Sequence, residues 1–266
     1  MIEFLNLEPE SFGLDISDLS LKIIKLSKKG DKFRISSFGE TKIKPGIVKG
    51  GEIKDRKKLV AFIKKALKEV KGKKINTKYV ISSLPEEKSF LEVIQMPLLS
   101  KEDLKSAVLY QAENYIPLPV EKVYLDPEII SKKSDHYEVL LVALPREIVD
   151  PYFSSLREAG LEPIVLEPES LSIVRALIKK EKISEPLLII DFGASRTTFI
   201  IFAQNSVRFT STIPISSQGF TELIAKALKT DLATAERLKR KFGLEGEKKV
   251  FLKGEPDKKY FKKRLF

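Results

Sequence analysis

Two stretches of the chain carry the same pattern, and that repetition constrains the fold more than any other feature. Residues 12–26, FGLDISDLSLKIIKL, read as an apolar strand, a tight polar turn and a second strand. From residue 187 the pattern returns in LLIIDFGASRTTFIIF. Each copy ends its first strand on an aspartate, Asp15 and Asp191, 176 residues apart. Small or hydroxyl residues follow, then another apolar strand. A tight turn of this kind exposes backbone N–H groups that can cradle a phosphate, and hydroxyls add donors. An aspartate can hold Mg2+ through water. Two such turns could clamp a nucleotide triphosphate from both sides. Read singly, each is an ordinary hairpin with a polar turn.

Around the hairpins, strands alternate with helices, as in an α/β layer and not a bundle. A third strand is expected over 31–43. Leu59, Ile63, Ala66, Leu67 and Val70 recur at helical spacing, so a helix is expected over 55–70 with lysines on its other face. Tyr79–Leu84 is strand-sized and stops at Pro85. Residues 88–162 form a second unit. It has a strand over 89–95, a helix capped by Ser100 and running to about Tyr115, strands near 122–130 and 137–144, and a helix from Arg146 to Ala159 closed by Gly160. A strand at 162–166 and a helix at 168–180 follow. After the second hairpin come a strand at 206–212 and helices at 217–229 and 231–242.

Composition removes whole classes of chemistry. The 266 residues contain no Cys, which excludes disulfide scaffolds, zinc ribbons, iron–sulfur clusters and thiol catalysis. One histidine, His136, leaves no multi-His metal site. The formal net charge of +11 is concentrated. Residues 54–74 hold ten basic and two acidic side chains, residues 239–266 eleven and four, and the rest of the chain is mildly acidic. The lysines of 54–74 read as the solvated face of an amphipathic helix, or as a contact for anionic inner-leaflet lipid. Nucleic acid is not expected as a partner, since no aromatic-plus-basic stacking platform is present. The longest apolar runs, such as Phe199–Ala203, fall far below the ~20 residues of a membrane helix. Neither a signal segment nor a span is visible in the sequence, which gives the expectation of a cytoplasmic protein.

The two turn motifs resemble the phosphate-1 and phosphate-2 loops of the actin-like ATPase superfamily. The inserted unit resembles the small extra subdomain of the cell-division protein FtsA and of the PilM family of type IV pilus assembly proteins. FGLDISDLSLKIIKL, YVISSLPEEKSFLEVIQMP, LYQAENYIPLPVEKVYLD and LLIIDFGASRTTFIIF resemble the PilM family most, over roughly residues 9–245. The resemblance implies an α/β, actin-like (ribonuclease H-like) duplicated fold with an inserted β-α-β-β subdomain of SHS2 type. The first subdomain would be 1–87, with 163–183 returning to it. The insert would be 88–162. The second subdomain would be 184–266, incomplete, with a basic tail at 246–266.

It also implies roles for residues. Asp15 and Lys22 match the phosphate-1 aspartate and the basic residue seven positions on, with Ser17 and Ser20 between them as donors. Asp191 and Gly193 match the phosphate-2 pair, with Ala194, Ser195 and Thr197 beside them. Asp15 and Asp191 would hold Mg2+ through water, and ATP with Mg2+ is the implied cofactor. Glu169 matches the water-positioning residue of active relatives, or is simply a helix N-terminal carboxylate. Two departures point to weakened ATP binding and little or no hydrolysis. Ser17 stands where a glycine is usual, and Asp18 adds a second negative charge. The late Gly-Gly of the adenine site is missing, since Gly50-Gly51 lies in the wrong half.

The implied function is a cytoplasmic scaffold of a type IV pilus, competence or secretion machine at the inner face of the membrane. Its partner would be the N-terminal peptide of a PilN-like inner-membrane protein, docked between the first subdomain and the insert. Asn114, Tyr115, Ile116 and Pro117 are candidates for the insert's contribution, or plain core. Self-association stays open. The alternatives are an FtsA-like cell-division ATPase and a basic membrane- or nucleic-acid-binding module.

Overall fold

The computed structural model describes residues 9–30, 32–178, 183 and 185–243. Period-two burial lays down the first sheet. Strand β1 (Phe12–Ile16) buries Phe12, Leu14 and Ile16 and turns Gly13 and Asp15 to the other face. β2 (Ser20–Lys29) and β3 (Lys32–Lys42) continue it as antiparallel neighbours. A short hairpin, β4 (Val48–Lys49) and β5 (Glu52–Ile53), precedes α1 (Arg56–Lys68). The Asp55 side chain caps α1 at the Lys58 amide, and Leu59, Ile63 and Ala66 face inward. After β6 (Lys71–Gly72), strand β7 (Tyr79–Leu84) returns to pair with β1 in parallel.

The insert holds β8 (Phe90–Pro97), α2 (Lys101–Ala112), β9 (Val123–Lys132) and β10 (His136–Pro145). Ser100 caps α2 as its sequence suggests. The helix ends at Ala112, earlier than expected, because residues 113–116 wind into turns. Next come α3 (Arg146–Glu158), β11 (Glu162–Pro168) and α4 (Glu169–Leu177). The last elements are β12 (Leu187–Phe192), β13 (Thr197–Ala203), β14 (Ser206–Ile213), α5 (Ser217–Leu228) and α6 (Leu232–Phe242). The basic tail expected at 246–266 lies outside the described residues.

The first sheet runs β11-β7-β1-β2-β3-β6. The chain order reverses at β1, whose two neighbours are antiparallel β2 and parallel β7. That is a ribonuclease H-like order, and it brings the carboxyl ends of β1, β7 and β11 together. The second hairpin repeats the start of it, with β12, β13 and β14 adjacent in that order.

Strand β10 explains how the insert is held. Its run of apolar residues is buried on both faces, as in a central strand. Val139, Leu141 and Ala143 join Ile94, Met96, Leu104 and Val108 in one core. Leu140, Val142 and Leu144 join the first-sheet core with Leu59 and Ile63. Helix α3, which the sequence pattern places with the insert, packs Ile148, Tyr152 and Leu156 into that first core.

Packing divides the chain into two units. One comprises residues up to Asp191 with Thr198–Thr212, and the other Phe192–Thr197 with the residues from Ile213 on. In the second unit, Ile224 and Ala225 of α5 meet Ala235 of α6.

Candidate functional site

In the first unit, the carboxyl ends of three parallel strands gather a polar cluster at the point where strand order reverses, the usual ligand position of open α/β sheets. Asp15 leaves β1 here. Its carboxylate accepts from Ser83 Oγ on β7 at 2.9 Å and lies 3.4 Å from Lys22 Nζ on β2. Lys22 is directly opposite Asp15 in the hairpin register, so the seven-residue spacing becomes a cross-strand pair.

The turn between them closes on itself. Ser17 N–H donates to Ser20 O at 3.0 Å, and the Ser17 and Ser20 hydroxyls are 3.1 Å apart. Asp18 points to another hairpin and accepts the amides of Gly50 and Gly51 at 2.9 and 3.1 Å. Both glycines have positive φ, and a Cβ on Gly51 would meet Pro85 at 2.4 Å. The Gly-Gly pair is thus the tip of the β4–β5 hairpin, clamped by the first turn.

Beyond Ser83 stands a residue that sequence reasoning missed. Glu86, in a 3-10 turn after β7, is only 3% exposed. Its carboxylate accepts the Ser170 amide at 2.9 Å, at the start of α4. Pro168 precedes that helix and supplies no side-chain cap, so Glu86 takes that place from 84 residues away. No local signal marks it. Glu169 is the first residue of α4. Nearby Glu167 is buried and forked onto Arg175 at 3.0 and 2.5 Å.

In the second unit the other turn has the same closure. Gly193 N–H donates to Arg196 O at 2.9 Å, as Ser17 does to Ser20. A Cβ on Gly193 would sit 2.9 Å from that oxygen, so glycine is required by the close approach. The carbonyls of Gly193 and Ala194 accept the amides of Ser217 and Gln218, the first two of α5. Ser216 caps the Gly219 amide. The leading amides of this helix are therefore already paired. Thr197 is buried with its hydroxyl donated to Ile215 O at 2.6 Å. Ser195 is half-buried. Asp191, which belongs to the first unit, is exposed near the end of β12.

A separate cleft lies in the first unit. Ser89, Phe90, Leu91 and Glu92 at the start of β8 line it with Tyr115, Ile116, Leu141 and Thr210. Its volume is about 200 Å³, below the 300 Å³ or so of small-molecule pockets and suited to one anchoring side chain. β8 is an edge of its sheet, whose order is β8-β10-β9. Of the four candidates, Tyr115 lines the cleft and is 49% exposed, while Ile116 lines it from within the insert's core. Asn114 and Pro117 are exposed, and Asn114 bonds to Gln111 at 3.3 Å. Arg208 on β14 reaches Glu138 on β10 at 3.2 Å, an ion pair that is largely buried. No group of three or more acidic or histidine side chains able to hold a metal ion occurs among the described residues. None of the described helices is long and apolar enough to cross a membrane.

A ribonuclease H-like sheet whose opening hairpin is repeated, with matching Asp-x-Ser and Asp-x-Gly turns, defines the actin-like ATPase fold. Comparison with known proteins agrees. The family model described as type IV pilus assembly protein PilM matches residues 13–251, and the chain belongs to that family. It is similar to the solved PilM–PilN type IV pilus biogenesis complex, at 28% identity and a TM-score of 0.76, covering 88% of this chain and 70% of that one. The ethanolamine utilization protein EutJ of Carboxydothermus hydrogenoformans shares the fold alone, at 12% identity and a TM-score of 0.52 over 88% of this chain and 62% of that one. The cell division protein FtsA of Pseudomonas aeruginosa is 29% identical over 87 residues, 33% of this chain. That match spans only 21% of the FtsA length.

Proposed function

We propose that this protein is a scaffold of type IV pilus assembly that works on the cytoplasmic side of the inner membrane by binding the N-terminal peptide of a PilN-like membrane protein. The observation that carries the reading is the cleft at the β8 edge. It combines an unpaired strand edge with an exposed tyrosine and a small, mainly polar recess backed by Leu91, Ile116 and Leu141. An extended peptide added to an edge strand gains main-chain hydrogen bonds and places one side chain in such a pocket. Family membership and the likeness to a solved PilM–PilN complex support the choice of partner. The likenesses to FtsA cover 33% and 40% of the chain, and support the cell-division alternative less well.

Nucleotide binding is the weaker part of the reading. Asp15 is engaged by Ser83 and Lys22, and the inward amide of each turn closes the turn itself. These residues fit ATP and Mg2+ poorly, and no phosphoryl-transfer step is assigned to them.

The test is titration of a fluorescent peptide carrying the N-terminal segment of a PilN-like protein. Tyr115→Ala should weaken binding about tenfold, as loss of an interface anchor does. Leu91→Asp should abolish it. Unchanged affinity in both variants would rule out this cleft.

A further inference from the structure

The lining of the recess at the β8 edge restricts the kind of side chain it can take. Register places Glu92 opposite Leu141 and Phe90 opposite Ala143, and cross-strand partners share a face. Glu92 therefore stands on the face of β8 that Ile94 and Met96 turn into the insert's core, where Leu141 and Ile116 also pack. Further along the strand this face is buried, at Ile94 and Met96. At Glu92 it is exposed, and the carboxylate stands at the mouth of the recess.

Three polar groups of this lining are uncommitted. The Glu92 carboxylate and the hydroxyls of Tyr115 and Thr210 have no hydrogen-bond or ion-pair partner among the described residues. Glu92 is the one formally charged residue of the lining. The basic residues that flank the lining along the chain are engaged elsewhere. Lys88, next to Ser89, pairs with Glu52 at 2.6 Å. Arg208, two positions from Thr210 on β14, donates to Glu138 at 3.2 Å and to Gln204 at 2.7 Å. The negative charge at the recess is therefore left to an incoming group.

We propose that the recess takes a basic side chain of the docked peptide, an arginine or a lysine, with its cation facing Glu92 and Tyr115. This assignment rests on the reading of the β8 edge as the seat of the peptide. A basic side chain joins an apolar stem to a charged head, which matches a recess that is polar at its mouth and backed by Leu91, Ile116 and Leu141. The face of an exposed tyrosine attracts a cation held over it. The hydroxyls of Tyr115 and Thr210 can accept the protons of the head that Glu92 does not take. An acidic side chain would meet Glu92 with like charge. A purely apolar one would cover three polar groups without pairing them.

The test uses the full chain and an N-terminally acetylated form of the same fluorescent peptide, so that no α-amino group supplies the cation. Glu92→Gln should weaken binding about tenfold and flatten its dependence on salt, with the circular dichroism unchanged. Replacing each basic residue of the peptide in turn by glutamine should find one position that weakens binding by the same factor. On Glu92→Gln that replacement should cost nothing further. Glu92→Lys should bind the parent peptide more weakly still, and recover when that one position carries glutamate. Tyr115→Ala and Leu91→Asp separate this inference from the reading beneath it. If they lose the peptide while Glu92→Gln binds it as the parent chain does, the cleft stands and the basic side chain is refuted. If all three variants bind as the parent does, both fall together. Loss of binding on acetylation alone would assign the cation to the α-amino group and overturn the proposal.

Discussion

The Asp18 carboxylate accepts the Gly50 amide at 2.9 Å, and its second oxygen takes Gly51 at 3.1 Å. By sequence, Asp18 reads as unwanted negative charge in a phosphate loop. In the fold it is a clamp between the first turn and the β4–β5 hairpin. Hydrogen bonds from backbone amides to a carboxylate are among the stronger ones. Asp18→Ala should therefore lower stability by about 1–2 kcal/mol. Denaturant unfolding measures it, with an unchanged m-value expected. Asp18→Asn, which keeps one acceptor, should lose less.

Glu86 yields a sharper contrast. It is buried, and the amide it accepts opens α4. Glu86→Ala leaves that amide without its acceptor and opens a small void, costing about 2–3 kcal/mol. Glu86→Gln retains an acceptor oxygen and should cost roughly half as much. Equal stability of all three proteins would show that the contact contributes nothing.

Why Asp15 and Lys22 could be singled out and Glu86 could not follows from distance along the chain. The family resemblance marks Asp15 and Lys22 in one short hairpin motif, and the hairpin register sets them opposite each other. Strand and helix periods did the same for most elements, and Asp55, Ser100 and Asp231 cap helices in their usual way. Glu86 meets Ser170 across 84 residues, and Asp18 meets Gly50 across 32. No local rule encodes those pairs. For the same reason Gly50-Gly51 reads only as a loop in the wrong half for the adenine site, whereas the structure makes it the tip of a two-stranded hairpin. Tyr115 and Ile116 show the intermediate case. Adjacent in sequence, they divide between the cleft and the core because α2 ends at Ala112 and the chain turns there.

Calorimetry with ATP and Mg2+ tests the nucleotide question directly. Phosphoryl transfer depends almost wholly on positioned donors and charge. One amide of each turn and the Ser17 and Thr197 hydroxyls are engaged within the protein, so weak or undetectable heat is expected. Turnover comparable to that of ordinary ATPases, lost in Asp191→Ala, would refute this.

The α5–α6 pair should respond to acid in a way that isolates one residue. Glu236 on α6 is held from its ordinary 4.5 down to about 2, first by hydrogen bonding to Lys239 and then to Thr221 on α5. Lys239 also donates to Ser217 O at 2.8 Å, so the carboxylate and the ammonium together tie α6 to the start of α5. A folded pKa below the unfolded one stabilises at pH values above 4.5, and that contribution disappears as pH falls toward about 2. Other carboxylates titrate in the same window, Glu52 among them. The informative quantity is therefore the difference between the parent chain and Glu236→Gln. That difference should be largest near neutral pH and shrink steadily between pH 4.5 and about 2. Amide hydrogen exchange at Thr221 and Ile224 reads it locally. A difference that stays constant across this range would mean that Glu236 does not gain its charge-dependent contacts on folding.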